Sequence, residues 1–121
     1  MTAGRIIFAV FYGIFGINHF LNVSTIAQTA VPGWLPLKAF WVVVSGIIML
    51  AGAVFLIVKM KKVSLISALV NAGLVLFYII FIHGPGAAAG GEAAVSHVIG
   101  ILHDAHLLGG LVFFAGYLNE D

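Results

Sequence analysis

His103, Asp104 and His106 stand within four residues of one another in a run, His97 to Tyr117, that is otherwise apolar. Ionisable side chains at the centre of a bilayer cost about 2.5–3.5 kcal/mol on insertion scales unless they pair or turn inward, so such a cluster marks a candidate site. Imidazoles at i and i+3 lie about 60° apart on a helix and can reach one metal ion if another helix adds ligands. His19 is the candidate third ligand beside His103 and His106, with Tyr12 or Asp104 assisting. Two facing imidazoles, His19 and one of that pair, also suffice for a b-type haem. A plainer reading gives the histidines only interhelical hydrogen bonds, worth about 0.6–2 kcal/mol each. The remaining reading is a proton relay or a ligand contact without metal.

Asp104 points nearly opposite His106 on a helix and almost in line with His97, so its expected partners are His97, Lys38 and His19. It is either a proton carrier, an acceptor for a ligand hydroxyl, or an anchor for the last helix. Trp41, Tyr78, Tyr12 and the phenylalanines suit a slot for a flat apolar ring such as a quinone, with His or Tyr donating to its carbonyl. The same aromatic residues also serve plain helix contact. The expected pocket is His19, Tyr12, Trp41, Ser45, Tyr78, His103, Asp104 and His106. No nucleophile elbow, Walker loop, dinucleotide fingerprint or HExxH motif is present. Whether the chain is catalytic stays open.

The elements that position these residues follow from hydropathy. The chain has 121 residues, 63% hydrophobic and 7% charged, with a mean hydropathy of +1.22, which reads as an integral membrane protein of one domain. Four apolar runs, about 3–22, 38–58, 63–83 and 97–118, are each long enough to cross a hydrocarbon core of ~30 Å as a helix. The predicted fold is an all-α membrane four-helix bundle. The first run is read as a retained helix, because no convincing cleavage site follows it. Five Lys and Arg, scattered, make no nucleic-acid face, and the absence of cysteine excludes disulfides and thiolate metal sites. Arg5 and the Lys59, Lys61 and Lys62 turn place both termini in the cytoplasm by the positive-inside rule.

Two loops remain on the opposite side. Between the first two runs, Val23, Ile26, Ala27 and Ala30 recur at helical spacing before Pro32 and Pro36, which predicts a short interfacial helix with Trp34 at the headgroups. The Gly/Ala-rich stretch 84–96 reads as a connector. Each run has one polar or small seam to bury. In the last, Gly100, His103, Asp104, His106 and Gly110 are expected to face protein, and Val98, Ile101, Ala105, Leu108, Val112 and Ala115 to face lipid. Gly109-Gly110 and Gly13-x-x-Gly16 permit close helix approach within the chain or between copies in a homo-oligomer.

Several short motifs run through the chain: Phe15-Gly-Ile-Asn-His-Phe20, Val31-Pro-Gly-Trp-Leu-Pro36, Trp41 with Ser45-Gly46 and Ala51-Gly52, Ile82-His83-Gly-Pro85, and Asp104 followed by Leu107-Leu-Gly-Gly110. In these the chain resembles the DoxX-like family of small bacterial four-helix membrane proteins. The resemblance implies a multi-pass protein of the bacterial inner membrane, linked to quinone-dependent sulfur or redox metabolism, with a redox-enzyme partner subunit. The family often has a basic residue before the helix-four Asp, where this chain has His103. The lack of cysteine argues against thiol chemistry on this chain. The sequence thus leads to a quinone- or redox-linked membrane subunit, with a non-catalytic anchor or assembly partner and a haem- or metal-binding protein as the alternatives.

Overall fold

A computed structural model describes residues 2–120, and every regular element among them is helical. The chain runs through α1 (Thr2–Leu21), α2 (Val23–Thr29), α3 (Lys38–Val58), α4 (Lys61–Tyr78), a π-helical turn (Ile79–His83), α5 (Gly84–Ala88) and α6 (Ala93–Glu120). Four stretches, Thr2–Leu21, Lys38–Val58, Lys61–Ala88 and Ala93–Glu120, are long and apolar enough to cross a membrane. Large apolar side chains such as Ile7, Phe11, Ile66, Ile99 and Phe113 lie on the outside. A helix apolar on every face is what hydrocarbon surroundings, not water, select.

α1 lies along α3 and α4 along α6, α3 and α4 join the two pairs, and α1 and α6 barely touch. The α1–α3 contact is close because glycines face it. A Cβ on Gly16 would fall 3.0 Å from Leu50 Cγ, and one on Gly46 3.0 Å from His19 Cβ. The Gly13-x-x-Gly16 pair is thus used inside the chain.

α3 ends on Lys59, whose φ of 57° is left-handed and reverses the chain. Ser64 locks the α3–α4 hairpin: its Oγ accepts from Met60 N–H at 2.7 Å and donates to Phe55 O at 2.7 Å. Arg5, buried, donates from its guanidinium to the Leu56 and Ile57 carbonyls, which are among those the end of α3 leaves unpaired. Nearer mid-bundle the Tyr12 hydroxyl donates to Asn71 Oδ1 at 2.7 Å, and Asn71 Nδ2 donates to Ser67 O at 2.9 Å. These contacts tie α1, α3 and α4 together at the lysine end.

Two expectations need correction. The stretch 84–96 is not one loop, since helix continues to Ala88 and resumes at Ala93, leaving a turn that needs the positive φ of Gly90 and Gly91. The cause is Pro85, which sits in the first turn of α5 and so does not stop the helix, while Gly84 N–H reaches back to Ile79 O in an i→i−5 bond. The buried face of α6 also differs from the expected one. Asp104, Leu111, Phe114, Ala115 and Leu118 are buried, whereas His106 is exposed. Polarity suggested an arc holding both His103 and His106, but the buried stripe follows a seven-residue repeat through Asp104, Leu111 and Leu118. Ala115, expected on the outside, is inside on that stripe.

Candidate functional site

At the end of the bundle away from the lysine turn, the four long helices enclose a cavity of about 620 Å³. Ile26 of α2 and the segment from Ala30 to Leu35 roof it, and Met49, Val75 and Leu107 lie toward its floor. The lining is mainly apolar. His19, Ser45, Tyr78, His83, His103 and Asp104 contribute the main polar groups, and both tryptophans, Trp34 and Trp41, lie on its wall. A mostly apolar space of this volume with a few convergent polar groups is the usual form of a small-molecule site.

Each polar group has a defined pose. His19 Nδ1–H donates to Phe15 O at 2.8 Å one turn back in α1, which leaves Nε2 as an acceptor. Its ring is nearly parallel to that of Tyr78, 15° between planes and 6.5 Å between centroids. The two rings thus form a stacked pair that joins α1 to α4 on the cavity wall. His103 sets its ring 4.7 Å from that of Phe15, closing the seam where α1 and α6 hardly meet, with its own outer edge exposed. Trp41 donates its indole N–H to Pro36 O at 3.0 Å and pins the roof to α3.

Asp104 is 8% exposed, and its Oδ2 lies 3.3 Å from His83 Nε2, at ion-pair distance. That oxygen is nevertheless buried without an aligned hydrogen bond from any described residue. A buried acceptor left in this condition is unusual and calls for a donor. His83, 3.3 Å away, is the donor within reach once its ring turns, and the Asp104 side chain also lines the cavity.

The structure therefore brings His19, Trp41, Ser45, Tyr78, His103 and Asp104 to one cavity and leaves two expected residues out of it. Tyr12 is fully buried against Asn71, below the cavity. His106 turns away and donates Nδ1–H to Leu102 O of its own helix at 2.6 Å. His103 and His106 sit at i, i+3 and both are exposed, but only His103 borders the cavity, so His19, His103 and His106 do not gather. Among the described residues no group of three His, Cys, Asp or Glu side chains could hold a metal ion.

Searches against family models, curated proteins and solved structures find no match for this chain. The site is accordingly read from its own geometry.

Sequence reasoning missed His83. It is the neighbour of Asp104, in place of the expected His97, Lys38 or His19. On a regular helix His83 lies about 140° from Tyr78 and faces elsewhere. The π-helical turn inserts one residue and brings it back by roughly 100°, toward α6. The detectable signal was Gly84-Pro85 inside an apolar run, since a proline there leaves a carbonyl in the preceding turn without its usual N–H.

Proposed function

We propose that this chain is a multi-pass membrane protein that binds a flat, lipid-soluble ligand of the quinone class in the cavity, as the membrane subunit of a redox system. The observation that carries the reading is a buried carboxylate, Asp104 with His83 Nε2 3.3 Å from its Oδ2, in the wall of an otherwise apolar space of about 620 Å³. A hydrocarbon-soluble molecule with one or two oxygen functions matches that combination: the ring needs apolar walls, and each oxygen needs one partner.

His19 and Tyr78 line the ligand's path on the α1 and α4 sides. The Tyr78 hydroxyl donates to a carbonyl, while His19 Nε2 and the Asp104 carboxylate accept from a hydroxyl. His103 and Phe15 close the lateral seam between α1 and α6, the way in from the lipid. A quinone, when bound, supplies two-electron, two-proton chemistry, and a partner enzyme supplies the electrons. α2 lies in the interface as the roof, with Trp34 at headgroup level. Arg5 and the lysine turn set both termini in the cytoplasm, with the cavity in the opposite leaflet. The DoxX-like resemblance supports the same reading.

Purification in mild detergent, followed by solvent extraction and mass spectrometry, tests it. The expected result is a lipid quinone in near-stoichiometric amount, and titration of stripped protein with a decyl-tailed benzoquinone should quench Trp34 and Trp41. If no quinone co-purifies and added benzoquinone leaves the fluorescence unchanged, the reading fails and a non-catalytic anchor, held by the same polar groups, replaces it.

A further inference from the structure

We propose that His97 and His83 form a proton path that leads from the surface at the α5–α6 turn to the carboxylate of Asp104 in the cavity wall. His97 Nδ1 lies 3.3 Å from His83 Nδ1, and His83 Nε2 lies 3.3 Å from Asp104 Oδ2. The three side chains make one line of proton-carrying atoms, whose last step needs a turn of the His83 ring. Chains of His and Asp inside apolar helices are the usual construction of a membrane proton relay.

Burial deepens along the line. Glu92, in the turn before α6, is exposed, His97 is half-buried, and the side chains of His83 and Asp104 retain 22% and 12% of their exposure. His97 and Asp104 are seven residues apart on α6, a descent of about 10 Å. The line therefore joins water at the bundle end to a cavity that is otherwise apolar.

Two glycines make room for both rings. A Cβ on Gly100 would stand 2.6 Å from His83 Cε1, and one on Gly86 would overlap the His97 ring. The π-helical turn aims His83 at α6 instead of leaving it on the face its spacing from Tyr78 predicts. None of these features is required if the polar groups only hold helices together, since a single His83–Asp104 pair does that.

The proton count balances, and no net charge stays on the imidazoles. His97 takes a proton from water on Nε2 and releases the one on Nδ1 to His83 Nδ1. His83 releases the one on Nε2 to Asp104 Oδ2, after a ring rotation that aligns the N–H. One proton enters, one reaches the carboxylate, and both imidazoles end neutral in the other tautomer. The other titratable groups on the cavity wall are His19 from α1, Tyr78 from α4 and His103 from α6, with Tyr12 behind them. Asp104 can hand the proton on to these or to a ligand. The purpose of the path rests on the ligand-site reading, while its geometry is independent of any ligand.

The test is solvent exchange of the His83 Nε2 proton, followed by NMR on ¹⁵N-histidine-labelled protein in nanodiscs. His97→Phe is expected to slow this exchange at least fivefold, with His106→Phe leaving it unchanged. His97→Gln, which keeps a hydrogen bond but cannot relay, should match His97→Phe and decides the matter if the latter fails to fold. A smaller slowing overturns the path, because the proton then leaves through the cavity. Quinone content measured on the same samples separates the two ideas. Quinone without slowing removes the path and keeps the site. Slowing without quinone does the reverse.

Discussion

Replacing Asp104 by Leu removes the cavity wall's buried carboxylate while keeping similar bulk and adding no donor. A ligand hydroxyl that donates to this carboxylate gains a charge-assisted hydrogen bond, worth about 1.5–3 kcal/mol net. At 1.4 kcal/mol per tenfold, its loss weakens binding of the reduced, hydroxyl-bearing form of the ligand by roughly 10- to 150-fold. The fold should suffer much less. Asp104 makes no aligned hydrogen bond, so its removal costs only the His83 contact at 3.3 Å, about 0.6–2 kcal/mol, and this is offset because a polar group no longer has to be buried. The assay is built into the chain, since its only two tryptophans, Trp34 and Trp41, both line the cavity and report any ring that enters. Titration of wild type and Asp104→Leu with a reduced decyl-tailed benzoquinone, beside thermal unfolding in the same detergent, separates affinity from stability. A dissociation constant within threefold of wild type, together with a large fall in melting temperature, would refute the reasoning and make Asp104 a structural anchor.

Other consequences lie outside the cavity. Tyr12→Phe leaves the buried Asn71 Oδ1 without its donor and should lower stability by about 1–2 kcal/mol in detergent unfolding, with little change in tryptophan quenching. Gly52→Ala should cost about 1–3 kcal/mol, because the new Cβ would stand 2.5 Å from Asn71 Nδ2; in an Asn71→Ala background most of that penalty should vanish. His106→Ala should change both stability and quenching within error, about 0.5 kcal/mol, since this exposed ring bonds only its own helix.

The four long helices were legible because length and apolarity alone decide them, and the second begins and ends where hydropathy places it, at Lys38 and Val58. The facing of α6 was less legible for the same reason. In a water-soluble helix the polar face announces the outside, but here both faces of α6 are apolar and a histidine can lie on either. His106 satisfies one ring nitrogen on its own backbone and so has no need of a partner helix. The seam is marked instead by shape, through Gly100 against His83 and Gly110 against Phe8, and single-sequence polarity does not report shape. His83 was hidden more deeply, since its direction depends on one i→i−5 bond that shifts the register of every residue after Ile79.

The two ends of the bundle are held together by different contacts. At the lysine end Arg5 caps α3, Ser64 locks the hairpin, and Lys59 donates to the Tyr117 hydroxyl at 3.1 Å, so all four long helices are tied. α1 and α6 still touch there, with the rings of Phe8 and Phe114 5.3 Å apart. Toward the other end the ring pair of Phe15 and His103, 4.7 Å apart, joins α1 to α6, and both residues border the cavity. If the chain only held four helices together, a cavity beside its ionisable groups would be a cost without return, because an unfilled space loses dispersion contacts and a buried carboxylate loses hydration. Both costs fall on the same few residues. On the proposed ligand-site reading these costs fall where a ligand would enter, which is where local stability is characteristically given up.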